Sequence, residues 1–392
     1  MIMNKNSNYI AFISGDNEEG IYKQALTLFH DNQKVVLVPK EIISIYQLDR
    51  YDSVSFNGVK IFWIPDKTKE KWILGMYTSG STGKPKLFVF TKKQIAITLK
   101  WYNQIYKPTK TTLIMTSMPV TYNFSFIAGS MLADKYNAIF KYVKDTSMLE
   151  TLQQETKKYN KVILLANPVI LDKLAKIKNT NLNIKNLFID SGGAPLSTSE
   201  IMWFRKQNFE LHEGYGLTET CSLTHFDDKL NYQSLGTCGS GFADVNTEIK
   251  IIDGKPRVVL HTPNLGIRLN DDFSTLEPNT GTYITGDVGR LKNSNLEIIG
   301  RSSDYCINNK WPKDTLEVIG KIIPTKCALV EHLSKRKVSI RFWSAITKDQ
   351  EVQVIKAVKD FLDLTNDEVE VKSKFTEITH SLKIKRHNKE AV

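Results

Sequence analysis

At 392 residues the chain is longer than one hydrophobic core ordinarily grows, so two or more domains are expected. Its 41% hydrophobic and 24% charged content excludes a disordered chain, and four scattered cysteines, Cys221, Cys238, Cys306 and Cys327, offer neither a C-x-x-C zinc site nor a disulfide framework. The balance of 53 basic against 42 acidic residues, +11, favours anionic partners such as nucleotides, coenzymes, nucleic acid or acidic proteins, with a lysine-rich solvated surface as the plain alternative.

The first stretch, "MIMNKNSNYIAFISGD", lacks a sustained apolar run with a small-residue cleavage site and does not read as a signal peptide; reduced thiols then suit a cytoplasmic protein. "KVVLVP", "VKIFWIP" and "WILGMYTSG" read as strands, and "TKKQIAITLKWYNQIY" as an amphipathic helix. Thr111 to Ala133 carries no charge, yet Pro119 and the interleaved Thr, Ser and Asn residues argue for strand, loop and buried helix rather than a membrane span. "AIFKYV", "SMLETLQQETKKY", "KVILLAN", "PVILDKLAKIK", "NLFIDSGG" and "STSEIMWFRKQ" continue a strand–helix alternation, the pattern of βαβ units around a mainly parallel buried sheet. From about residue 235 the pattern changes: "VNTEIKIIDGKPRVVLH" reads as two strands joined at Asp253-Gly254, a small antiparallel or barrel-like subdomain. The last stretch mixes "KVSIRFWSAI", the helix "KDQEVQVIKAVKDFL" and "EVEVKSKF". The expected fold class is α/β, with a large domain over 1–300 and a small α+β domain over 301–392.

"YTSGSTGKPK", Tyr77 to Lys86, puts glycines, hydroxyls and lysines directly after a strand, a composition that handles phosphate or else makes a flexible basic turn. It is not a Walker A loop: the spacing Gly75 to Gly80 is followed by Ser81 rather than Lys, and Pro85 blocks an immediate helix.

Read whole, "TSGSTGKPK" resembles the phosphate loop of the adenylate-forming superfamily, which includes acyl-CoA synthetases, adenylation domains of non-ribosomal peptide synthetases and luciferases. Five further segments resemble that family's motifs in its order: "DSGGAPLS" (190–197), "GYGLTET" (214–220), "YITGDVGR" (283–290), "GRSSDY" (300–305) and "THSLKIKR" (379–386). The resemblance implies an ATP- and Mg²⁺-dependent enzyme that turns a small carboxylic acid into an acyl-adenylate and then loads the thiol of CoA or of a carrier-protein phosphopantetheine. An acidic acyl carrier protein is the implied protein partner, and neither membrane nor nucleic acid is expected.

By the same resemblance, Thr78, Ser79, Gly80, Ser81, Thr82 and Gly83 hold the β- and γ-phosphates, with Lys84 and Lys86 adding positive potential. Glu219 binds Mg²⁺ and Thr218 contacts the α-phosphate. Tyr215 with Gly216 presents a face to adenine, and Gly192, Gly193, Ala194 and Pro195 shape the adenine and acyl slot. Asp287 takes the ribose hydroxyls with Arg301 assisting there, and Lys383 bridges the carboxylate and the α-phosphate. Tyr122, Asn123 and Phe124 are the candidate acyl-pocket residues; Thr121 stands where amino-acid-activating domains place an acid, which favours a plain carboxylic acid. Plainer readings stand beside these: Tyr215 as a core aromatic, Asp287 as a turn cap, Lys383 as part of a solvated basic tail.

Four departures from the family pattern bear on function. Only about 75 residues precede the loop, which implies a shortened N-terminal subdomain. Ser303 occupies the usual hinge aspartate position, with Asp304 next. "INNKWP" puts Lys310, Trp311 and Pro312 where a glycine lines the pantetheine tunnel, which bears on thiol entry. Leu382 replaces the glycine before Lys383. Two alternatives follow: adenylation with transfer to an amine or another acceptor, and a non-catalytic nucleotide- or nucleic-acid-binding relative.

Overall fold

The apolar run Ile10–Ile13 is fully buried as the middle of a strand, Tyr9–Gly15, in a computed structural model that describes residues 8–68, 70–78, 84–176, 183–228, 234–278, 280–365 and 368–373. The chain divides into two units, one made of 1–148, 216–224 and 262–282, the other of 149–215, 225–261 and 283–392.

In the first unit, Tyr9–Gly15 lies parallel to Val35–Leu37 and antiparallel to Val59–Pro65. The helix Glu18–His30 connects the parallel pair; Asn17 caps it by accepting the Gly20 N–H at 3.0 Å, and Glu18 and Glu19 complement its dipole. Leu74–Tyr77 pairs parallel with Val35–Leu37, and Leu87–Phe90 returns antiparallel beside it, followed by Ile267–Leu269. This sheet is mixed rather than mainly parallel, because hairpins replace crossovers at two places. One is Ser53–Phe56 with Val59–Pro65, joined at Asn57-Gly58, both at positive φ, 48° and 76°. The other encloses the glycine-rich loop. The expected helix after Thr91 forms as Lys92–Tyr106, closed by a capping box between Thr91 and Gln94. The uncharged stretch resolves into the strand Thr112–Thr116 and a buried helix that starts as a π-helical segment, Phe124–Met131, before Leu132–Lys135. No helix among the described residues is long and apolar enough to cross a membrane.

In the second unit the strands Lys161–Ala166, Leu187–Ser191 and Glu210–Tyr215 are parallel neighbours, as the alternating pattern predicts. The four strands Asn246–Ile252, Lys255–His261, Thr282–Lys292 and Asn295–Arg301 form an antiparallel sheet. Asp253 and Gly254 make the predicted turn, at φ 50° and 71°. Beyond Arg301 the chain is α+β: the helices Pro312–Ile322 and Lys348–Leu362 cover a sheet of Ala328–Ser334, Lys337–Phe342 and Val369–Lys372. Val338, Ile340, Phe342, Val354 and Val358 are fully buried there, each worth about 1.5–3 kcal/mol of apolar burial.

Candidate nucleotide site

The strands Leu74–Tyr77 and Leu87–Phe90, an antiparallel pair, flank the glycine-rich segment, so a strand follows it and not the helix of a P-loop. Thr78 fastens its base: the Thr78 N–H donates to Lys86 O at 2.8 Å, and the Lys86 N–H donates to Thr78 Oγ1 at 2.9 Å. Ser79, Gly80, Ser81, Thr82 and Gly83 lie outside the described residues, as do Lys383 and Leu382. Lys84 meets Asp271 at 2.7 Å and sits 4.3 Å from the ring centroid of Tyr46. That contact is the main reason the Asp271 carboxyl is held below its usual range. Tyr46 donates to Pro85 O, and its ring packs 5.2 Å from that of the buried Tyr77. Neither Tyr46 nor Asp271 carries a signal in the sequence that ties it to this loop.

Thr218 and Glu219 ride on a single 3₁₀ turn, Thr218–Thr220, in the first unit. A side chain at Gly216 would place its Cβ 1.7 Å from Ser222 O, so glycine alone fits the return of the chain. Cys221 and Ser222 follow at positive φ, 51° and 93°, an unfavourable backbone that surrounding bonds must enforce. Asn264, fully buried, supplies them: its amide donates to Thr220 O at 2.6 Å and Leu223 O at 3.0 Å. Tyr102 adds a hydroxyl contact to Ser222 at 2.8 Å. Asn123 donates to Leu217 O at 3.1 Å, so one expected pocket residue also buttresses this turn. Phe124 opens the π-helical segment and is half-buried, and the Tyr122 hydroxyl donates to Glu41 at 3.0 Å, a carboxylate that sequence spacing does not bring near it.

In the second unit, Gly192–Pro195 and Tyr215 leave the carboxyl ends of adjacent parallel strands, the usual ligand side of such sheets. Gly192 N donates to Ala166 O at 3.0 Å, and Gly193 has φ 91°. Tyr215 is buried, and its hydroxyl donates to Asp287 Oδ2 at 2.8 Å. Burial, then the Asp287 charge, holds the phenol well above its ordinary pKa, so it stays a donor. Arg301 Nη1 binds Asp287 Oδ1, and Asp287 N donates to Thr285 Oγ1 at 3.0 Å. The structure thus unites three expected residues, Tyr215, Asp287 and Arg301. A carboxylate has about four lone-pair sites, and these two partners occupy opposite oxygens, so its acceptor capacity fits a ribose diol.

One position beyond Ser303, the buried Asp304 carboxylate accepts the Arg301 N–H at 2.7 Å. Lys255 donates to Ser302 O at 2.6 Å and Asp304 O at 2.8 Å. Asn308 and Asn309, at φ 46° and 62°, make a tight turn. Trp311 packs with Val288 and Ile299 in a buried cluster, and Lys310 lies 5.0 Å from the Phe361 ring. Among the described residues no three acidic, histidine or cysteine side chains cluster as a metal cage. The half-buried Glu219 fits Mg²⁺ of the kind held by one carboxylate together with phosphate oxygens.

A parallel strand of an α/β fold thus delivers Tyr215 to the Asp287–Arg301 pair of the antiparallel sheet. The model of the family described as AMP-binding enzyme matches residues 13–263, and the chain belongs to that family. This bears out the resemblance carried by the six motifs. A 2-succinylbenzoate–CoA ligase of Listeria monocytogenes is 26% identical over 267 residues, 64% of this chain and 54% of that protein. A long-chain-fatty-acid–CoA ligase of Escherichia coli O157:H7 is 24% identical over 315 residues, 73% of this chain and 55% of that protein. The chain therefore spans about half the length of these curated relatives. The fold is shared with the O-succinylbenzoate coenzyme A synthetase of Bacillus subtilis, solved in complex with ATP and magnesium ion: TM-score 0.61, 16% identity, 95% of this chain and 81% of that one.

Proposed function

We propose that the protein activates a small carboxylic acid with ATP and Mg²⁺. A carboxylate oxygen attacks the α-phosphorus, the bond to the pyrophosphate oxygen breaks, and an acyl-adenylate remains. A thiol of CoA or of a carrier-protein pantetheine then attacks the acyl carbon and AMP leaves. The observation that carries this reading is the Tyr215–Asp287–Arg301 cluster in a chain of the AMP-binding family.

In this reading Tyr215 and Gly193–Pro195 receive adenine with Gly192 toward the acyl group, and Asp287 receives the ribose with Arg301 beside it. Thr78–Gly83, Lys84 and Lys86 hold the β- and γ-phosphates. Lys84 reaches them by leaving Asp271. Thr218 contacts the α-phosphate, Glu219 holds Mg²⁺, and Lys383 steers the carboxylate. The metal neutralises phosphate charge when bound. The main barrier is repulsion between two anions, so well-placed positive charge lowers it most. Tyr122, Asn123 and Phe124 line the acyl pocket. Residues 301–392 form the mobile C-terminal domain, hinged at Arg301. Burial of Trp311 in the core supports keeping the thiol step. An acidic carrier protein suits the +11 chain, acting in the cytoplasm.

ATP–pyrophosphate exchange across fatty, aryl and amino acids tests the reading; the CoA-ligase relatives make aryl and fatty acids the first panel. Acid-dependent exchange is expected. Lys383→Ala should lower it by about 10²–10³ while ATP binding persists. Background exchange with every acid, or unchanged exchange in Lys383→Ala, sinks the corresponding part.

A further inference from the structure

We infer that Lys313 and Glu213 are positioning residues for the adenine slot: together they hold both backbone groups of Leu196, and so couple the helix Pro312–Ile322 to the segment Gly192–Pro195. This rests on the nucleoside reading proposed above. Glu213 Oε1 accepts the Leu196 N–H at 3.1 Å, and Lys313 Nζ donates to Leu196 O. Leu196 directly follows Pro195, and Glu213 lies two residues before Tyr215 on the neighbouring strand. The pair thus brackets the two pieces of chain that would face adenine.

Lys313 is an unusual residue to find here. Its side chain is 1% exposed, and it sits in the first turn of a helix, where the dipole disfavours a cation. Burial by itself would push its pKa down, but the charges of Glu317 and Glu213 outweigh that and leave it raised, so the ammonium persists. Glu317, 2.9 Å from Lys313, also accepts the Thr198 N–H at 3.1 and 2.9 Å, capping the helix that follows the slot. Gly236 leaves room for this contact; a Cβ there would lie 2.7 Å from Thr198 Oγ1. One helix face, Lys313, Glu317 and Gly320, therefore touches the stretch Leu196–Thr198 and its strand neighbour.

The test pairs ATP binding at equilibrium with hydrogen exchange over residues 192–196. Lys313→Met and Glu213→Leu should each weaken ATP binding about tenfold and speed that exchange. Glu213→Gln keeps an acceptor for Leu196 N and should leave both near parental values. Ser344→Ala loosens a separate contact to Asp172, 3.0 Å in the parent, and should also leave both unchanged. Should Lys313→Met fail to fold, Lys313→Gln carries the same two measurements. Folded variants with parental exchange and ATP affinity within about twofold overturn the inference, as does an equal effect from Ser344→Ala. A parent that binds no ATP defeats the nucleotide reading instead, and the exchange measurement still decides whether the pair holds the segment.

Discussion

At Asp287 a carboxylate only 3% exposed carries a phenol on one oxygen and a guanidinium on the other. Removing the phenol's donor by Tyr215→Phe keeps the ring but leaves Oδ2 short of one partner, a loss of about 1–2 kcal/mol. We expect that drop in urea unfolding, together with about tenfold weaker adenosine binding; parental adenosine affinity would show that the ring alone matters. Tyr215 and Asp287 were legible in the sequence because each sits in a short motif whose chemistry is local. Asn264, Asp271 and Glu41 were not: their partners Thr220, Lys84 and Tyr122 stand 44, 187 and 81 residues away. No periodicity reports such pairs; only the folded backbone brings them together.

The helix Pro312–Ile322 shows how an element can oppose its own propensity. Ala is favoured over Gly in a helix interior by about 1 kcal/mol. Yet a Cβ at Gly320 would stand 2.1 Å from Ser197 Oγ, the cap of the helix Thr198–Lys206. Gly320→Ala should therefore destabilise, by about 1–3 kcal/mol in urea; a stabilised variant would mean the two helices do not approach this closely. The elements themselves were mostly readable, since strand–helix alternation and the capping signals at Thr91, Ser197 and Thr347 are local. The Asn57-Gly58 hairpin also had its signal in sequence, a turn dipeptide between the exposed SVSF strand and the apolar run after it, and it escaped the βαβ reading. The hairpin around the glycine-rich loop did not declare itself, because "LFVF" fits a short buried strand or a buried helical turn equally well.

For the molecule as a whole, the buried carboxyl of Glu213 links stability to pH. Burial raises it to about 7 against 4.5 for an exposed glutamate, with Lys313 and the Leu196 N–H pulling back and Asp227 and Glu317 pushing up. The folded chain thus holds this proton more tightly than the unfolded one. Its contribution is complete below about pH 4.5 and is lost as pH rises through about 7. His225, which burial holds down to about 3, acts in the opposite sense: its contribution is complete above about 6.5 and is lost on acidification. Thermal unfolding of Glu213→Gln against the parent isolates the first effect. The variant's relative Tm should rise between about pH 5 and about pH 8; a constant difference would show that Glu213 does not titrate there.

The family, the α/β class and the order of the motif residues are legible along the chain, because glycine-rich motifs, turns and strand periodicity are written in neighbouring positions. Only the folded chain shows that Arg301 and Tyr215 share Asp287, that Asp304 closes the turn after Arg301, and that Trp311 belongs to a core. It also put a lysine from the helix Pro312–Ile322 onto the backbone of Leu196. Those are contacts between segments far apart in sequence, and buried charge survives there only where the fold supplies a partner.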